Sequence, residues 1–161
     1  MNKYAGGILI VTVMFIGAFA LFSGSGSQAK NASLGAEGAV KVVLHKSPTC
    51  GCCKVYGSYL KRLGYDVEVH DTNDLAGVKS KLGVPGELES CHTMEVGEYA
   101  VEGHVPEEAI EKLLAEQPEI KGIGMAGMPS GSPGMPGQKT ESFVVYEITA
   151  EGTQGDVFVT L

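Results

Sequence analysis

A short apolar run over residues 40–44, Val-Lys-Val-Val-Leu, leads through His-Lys-Ser-Pro-Thr into Cys50-Gly51-Cys52-Cys53, and a helical pattern follows at once. The β-branched content of the run predicts a buried strand. From Cys53 onward Val55, Tyr56, Tyr59, Leu60 and Leu63 fall at helical spacing, and Gly64 supplies a helix stop. Three thiols are therefore set where a strand turns into a helix. The unpaired N–H groups and the dipole of a helix start favour thiolate, so the turn reads as a reactive site. Three cysteines crowded into one turn are also a poor way to cross-link a fold, although two structural disulfides remain the plain alternative for four cysteines.

The remaining pattern extends this unit in a definite order. Tyr65, Val67 and Val69 alternate with Asp66, Glu68 and His70, which predicts a second strand. Asp71 to Asp74 is a capping region for a second helix with Leu75, Val78 and Leu82 on its face, closed by Gly83 and Pro85. Residues 93–96 and 99–102 form a hairpin turned at Gly97-Glu98. Pro106 opens a third helix with Glu107 and Glu108 in its first turn, Ile110, Leu113 and Leu114 on its buried face, and Pro118 beyond its end. The resulting β-α-β-α-β-β-α core is the topology of thioredoxin and glutaredoxin, an α/β fold. A right-handed first crossover places the cysteine turn at the carboxyl edge of the sheet. In that fold the loop into the third strand approaches the cysteine turn and usually carries a cis-proline. Here it reads Glu89-Ser90-Cys91-His92-Thr93, so Cys91 is expected to face the other cysteines, with Cα separations of roughly 4 to 8 Å. Residues 122–137 are rich in Gly, Pro and Met and are expected to wrap the surface as an irregular loop, not to form an interior strand. Residues 143–148 and 156–160 then make a C-terminal β-hairpin.

The N-terminus sets the expected compartment. Lys3 precedes an uncharged apolar stretch over 4–22 and a small-residue polar segment over 23–28, which reads as an export signal over 1–29, cleaved after Ala29, or as a retained N-terminal membrane anchor. A linker over 30–38 and a thioredoxin-like metal-binding domain over 39–161 then lie outside the cytoplasm, in a periplasm where disulfides persist. The membrane enters only through that first segment. A net charge of −7 opposes nucleic acid as a partner. The absence of Trp and an aromatic content of 7% oppose an aromatic-lined binding platform.

Two chemistries suit the cysteines. Thiolates are soft ligands that select Cu(I), zinc or iron–sulfur clusters. Neighbouring Cys52 and Cys53 diverge by roughly a hundred degrees at a helix start, so two or more Cu(I) ions sharing Cys50, Cys52, Cys53 and Cys91 fit better than one enclosed zinc. His92 is a candidate ligand or thiolate partner, and Met128 and Met135 are candidate thioether ligands. The alternative is a thiol-disulfide oxidoreductase in which Cys50 attacks, Cys53 resolves, and Cys52 or Cys91 holds a second redox pair. Of the remaining groups, His104 is read as bonding the exposed N–H groups of the third helix, His45 as lying behind the cysteine loop, and His70 as solvated. Met94 and Met125 are read as core.

The runs His45-Lys46-Ser47-Pro48-Thr49-Cys50-Gly51-Cys52-Cys53, Ser90-Cys91-His92-Thr93, Val101-Glu102-Gly103-His104-Val105-Pro106 and the Gly-Met-Pro-rich segment 127–135 stand in the same order as in a known family. Together they resemble the family called domain of unknown function 411, whose members include CopG-type periplasmic proteins encoded with copper-resistance systems. The likeness spans residues 40–137. It implies a thioredoxin-like domain that binds copper through its cysteines, with copper redox as an activity such a site could carry. Copper ions, copper-handling periplasmic proteins and a thiol electron donor are the partners that follow.

Overall fold

The computed structural model describes residues 38–161. The expected signal or anchor and most of the linker lie outside the described residues. Strand β1 (Lys41–Lys46) is followed by helix α1 (Gly51–Arg62), β2 (Asp66–Asp71) and α2 (Leu75–Leu82). A 3-10 turn (Gly86–Leu88), the hairpin β3 (His92–Val96) and β4 (Tyr99–Glu102), and α3 (Glu107–Glu116) come next. Strands β5 (Gly122–Gly124), β6 (Val144–Ile148) and β7 (Gln154–Thr160) complete the chain. All seven strands form one sheet in the order β2-β1-β3-β4-β5-β6-β7. The described residues thus form a mixed α/β fold of seven strands and three α-helices.

β1 is the axis of the site. It pairs parallel to β2 and antiparallel to β3, and Val42 and Leu44 turn fully buried side chains onto α1. There Tyr56 and Leu60, both fully buried, join Ile110 and Leu113 of α3 and Met94, Val96 and Val101 of the hairpin in one core. Each such side chain contributes roughly 1.5–3 kcal/mol of hydrophobic stabilisation. On the opposite face α2 and the 3-10 turn bring Leu82, Val84 and Leu88 against Ala100 and Ile148. The helix boundaries follow the capping residues. Asp74 accepts the Gly77 N–H at 2.9 Å at the start of α2, and Gly83 closes it.

Two sequence expectations need correction. α1 begins at Gly51, not near Cys53, because Cys50 itself is the N-cap and its Sγ accepts the Cys53 N–H at 3.3 Å. The start of the Gly/Pro/Met segment is an interior strand: β5 lies parallel to β4 and antiparallel to β6. Glycine is what permits this, since a Cβ on Gly122 would overlap the Ala100 carbonyl and one on Gly124 would press on Leu88 and Glu102. β6 and β7 form the expected C-terminal hairpin, and through β5 it extends the same sheet. Residues 125–143, beyond β5, hold no regular element, as the composition predicts.

Candidate metal and thiol centre

β1, the start of α1 and the loop into β3 bring all four cysteines together. Their sulfur atoms lie within 4.8 Å of one another. Cys50 and Cys53 form a disulfide, while Cys52 and Cys91 are free thiols. Cys52 Sγ stands 3.5 Å from Cys50 Sγ and 3.7 Å from Cys91 Sγ, and Cys91 Sγ stands 3.5 Å from Cys53 Sγ. Cys53 is buried and the other three are partly exposed, so the cluster opens to solvent on one side.

Behind Cys91 sits a pair of buried imidazoles. His92 and His104 are both fully buried, their ring centroids 4.7 Å apart, with Tyr56 at 4.6 Å from the first and 5.4 Å from the second. His104 Nδ1 lies 2.7 Å from the Pro133 carbonyl oxygen. A carbonyl only accepts, so Nδ1 carries the proton and the Nε2 lone pair points at Cys91 Sγ, 3.0 Å away. Burial lowers the pKa of both rings and keeps them neutral, the form that binds metals. Cys91 Sγ is also 3.6 Å from His92 Nδ1, and His92 Nε2 is a buried nitrogen with no hydrogen-bond partner among the described residues. Cys91, His92 and His104 thus form a second three-ligand group that shares Cys91 with the four-thiol group. Burial first, then the adjacent Cys52 thiol, pushes the Cys91 thiol up to about 12. A metal that bound Cys91 near neutral pH would therefore displace a proton.

A buried ion pair fixes the loop that carries Cys91. Glu102, at the end of β4, faces the Lys79 ammonium of α2 and accepts from Thr93 Oγ1 at 2.6 Å and from the Ser90 N–H at 2.6 Å. Lys79 also donates to Thr93 Oγ1 at 3.1 Å. The loop is held from the other side by Ser90 Oγ donating to the Gly127 carbonyl. The glycine-rich segment also reaches the cysteine helix. Gly134, at φ +82°, lies so close that a Cβ there would be 3.0 Å from Tyr56 Cβ and 3.1 Å from the Cys52 carbonyl oxygen.

Of the residues singled out from sequence, Cys50, Cys52, Cys53, Cys91 and His92 converge. Met128 is half-exposed on the long loop and Met135 partly buried, while Met94 and Met125 are core as expected. His104 is the residue that sequence reasoning missed, because its place before a helix suggested a cap. A legible signal was the hairpin register: β3 and β4 pair Thr93 with Glu102, and continuing that register by two positions sets Cys91 opposite His104. His45 is not behind the cysteines. Its Nε2 lies 2.8 Å from Glu95 Oε1, because alternation along β1 sends His45 to the face opposite Leu44 and α1. His70 is exposed beside Glu68, as expected.

The fold and this cysteine–histidine cluster define an α/β protein with a soft-donor thiol site. The family described as "Protein of unknown function, DUF411" matches residues 88–135, which carry Cys91, His92 and His104. Two solved structures of a protein named copper resistance protein copG, in its forms 1 and 2, are 37% identical to this chain. Each superposes with a TM-score of 0.70 over 76% of this chain and 98% of its own. No curated protein matches the chain in sequence. The chain belongs to the DUF411 family of CopG-type proteins.

Proposed function

We propose that the protein is an exported copper-binding protein of thioredoxin-like core that holds Cu(I) in a cluster bridged by Cys50, Cys52, Cys53 and Cys91, with His104 and His92 as nitrogen donors. The observation that carries this reading is the convergence of four sulfurs within 4.8 Å of one another, beside two neutral buried imidazoles. Soft thiolates with imidazole favour copper over hard cations. The copper resistance named for the similar structures supports the same metal. The thioredoxin-like reading rests on the sub-order β2-β1-β3-β4, with a C-x-x-C turn after β1. The apolar segment over 4–22 supports a periplasmic setting.

The full four-sulfur cluster requires the reduced site. Two electrons and two protons from a thiol donor convert the Cys50–Cys53 disulfide into two thiols, which join Cys52 and Cys91 to give four sulfur donors. Copper then displaces the thiol protons as it binds. The second reading, a thiol or copper oxidoreductase, is favoured by one observation: the disulfide sits at the N-cap of α1, where the Cys53 N–H points at Cys50 Sγ and stabilises a Cys50 thiolate on reduction.

Anaerobic titration of the reduced chain with Cu(I), followed by metal-to-protein ratio and sulfur-edge spectroscopy, tests the binding reading. More than one copper per chain with sulfur ligation is expected, and His104→Phe, which keeps the aromatic packing but removes Nε2, should weaken binding. A reduced protein that takes up no copper refutes it. Repeated turnover of a disulfide or of Cu(II) with an added electron donor favours the oxidoreductase, whereas reduction limited to the protein's own thiol electrons leaves binding ahead.

A further inference from the structure

Charge is segregated in this chain. The whole sequence is −7, yet residues 41–62 contain Lys41, Lys46, Lys54, Lys61 and Arg62 and no acid. Lys41 and Lys46 are paired with Glu68 and Asp71 of β2. Lys54, Lys61 and Arg62, all exposed on α1, have no ion-pair partner among the described residues. A groove of about 390 Å³ runs between α1 and the edge strand β2, with Lys54, Lys61 and Ser58 on its helix side and Gly57, Val69 and Pro48 along it. The Lys46–Asp71 ion pair is also in its lining, which leaves Lys54 and Lys61 as its unpaired charges. Val69 is 42% exposed there, and Val55 on the adjoining helix surface is 52% exposed. The groove ends at the cysteine turn through Pro48 and Lys54. On that outer side Gly51 is exposed, and a Cβ built on it meets nothing.

We propose that this α1–β2 groove is the docking surface for an acidic segment of a partner protein that exchanges copper or electrons with the cysteine turn. The inference rests on the proposed copper–thiol function of that turn and names its partner's chemistry. Unpaired cations around exposed valines suit a protein segment with carboxylates flanking an apolar residue. The free lysines steer and orient such a partner, and the apolar floor gives it contact area. On a molecule of net negative charge a local cationic face also discriminates: an acidic partner is repelled elsewhere and attracted only beside the thiols. Gly51, without a side chain, leaves the approach to Cys50 and Cys52 open.

The test uses the full chain, reduced and copper-loaded, with a ten-residue Glu/Leu peptide as the acidic probe and a Lys/Leu peptide of equal length as control, followed by amide chemical shifts. The acidic peptide should move the amides of Thr49, Gly57, Ser58 and Val69. Lys54→Glu/Lys61→Glu should weaken its binding about tenfold or more, as should raising salt from about 20 to about 200 mM. Lys112→Glu/Lys139→Glu, remote from the groove, should leave it unchanged. Shifts scattered over all lysines, equal binding by the Lys54→Glu/Lys61→Glu protein, equal binding of the basic peptide, or head-to-tail self-association of the chain through this face would each overturn the proposal. Copper per chain in Lys54→Glu/Lys61→Glu separates the two readings. An unchanged ratio with lost peptide binding supports docking, and a wild-type chain that binds peptide in the groove but no copper removes only the copper reading.

Discussion

Replacing Lys79 by methionine removes the ammonium that faces Glu102 in the interior. Lys79 is 4% exposed and Glu102 fully buried, so the carboxylate would keep only the Thr93 hydroxyl and the Ser90 N–H as donors. Stranding one member of a buried pair costs about 3–5 kcal/mol. With a urea dependence of roughly 2 kcal/mol/M for a domain of this size, the unfolding midpoint should fall by about 1.5–2.5 M. Glu102→Leu alone should cost a similar amount by leaving the ammonium with Thr93. The double variant Lys79→Met/Glu102→Leu replaces the pair with apolar side chains and should recover most of the loss. It should stop about 1–3 kcal/mol short of wild type, because the Ser90 N–H loses its acceptor. Urea unfolding of the oxidised protein, followed by far-UV circular dichroism, reads all three values. A Lys79→Met loss below about 1 kcal/mol, or a double variant that loses the sum of the singles, would refute the claim that this pair is a mutually dependent anchor for the Cys91 loop.

Further outcomes are expected at the site itself. Cys52→Ser should retain the Cys50–Cys53 disulfide and the fold while lowering the copper bound per reduced chain; an unchanged ratio by metal analysis counts against a bridging role for this thiol. With its thiol pushed up to about 12, Cys91 in the oxidised protein should react with iodoacetamide at pH 8 at about a hundredth of the rate of an unstructured cysteine peptide, after allowing for the higher nucleophilicity of a high-pKa thiolate. The rate should climb about tenfold per pH unit, because the thiolate fraction does so below the pKa. Peptide mass spectrometry after timed quenching measures it, and a flat pH profile contradicts the assignment. Gly134→Val forces a side chain into a left-handed residue and against Tyr56 and should cost about 1–3 kcal/mol in urea unfolding; a change within about 0.5 kcal/mol would show that the loop does not rest on α1.

The elements that carry the cysteines were legible because local chemistry and tertiary demand agree there. The β-branched run 40–44, the helical spacing of Tyr56 and Leu60, and the Gly97-Glu98 turn each point to one conformation, and the sheet accepts all three. β5 was illegible for the opposite reason. Gly122 and Gly124 have poor intrinsic strand preference, and what makes them a strand is the close approach of β4, visible only in three dimensions. Lys79 and Glu102 were missed likewise. A lysine in a surface-like helix and a glutamate at a strand end carry no sign that they will meet across two elements. The role of His104 was hidden by its neighbour Pro106, which marks a helix start so clearly that the histidine was read as part of the cap.

Position 52 is where the fold and the proposed chemistry meet most directly. In a two-cysteine turn at a helix start, oxidation removes both sulfurs from the pool of free thiols, and the site then offers a soft metal little. Here the disulfide takes the N-cap Cys50 and the buried Cys53 and leaves Cys52 and Cys91, with sulfurs 3.7 Å apart. The His104 lone pair stands 3.0 Å from the second of them. Two thiols and an imidazole are enough donors for a low-coordinate soft ion. The same turn therefore supplies one donor set when oxidised and a larger one when reduced. Under the copper-binding reading, copper capacity becomes a function of thiol redox state: fewer ions held by the disulfide form, more after two-electron reduction. Parallel Cu(I) titrations of the oxidised and reduced chain under anaerobic conditions measure that difference directly. Equal stoichiometry in the two states would mean that Cys50 and Cys53 are not ligands, and the four-sulfur cluster would fall with them.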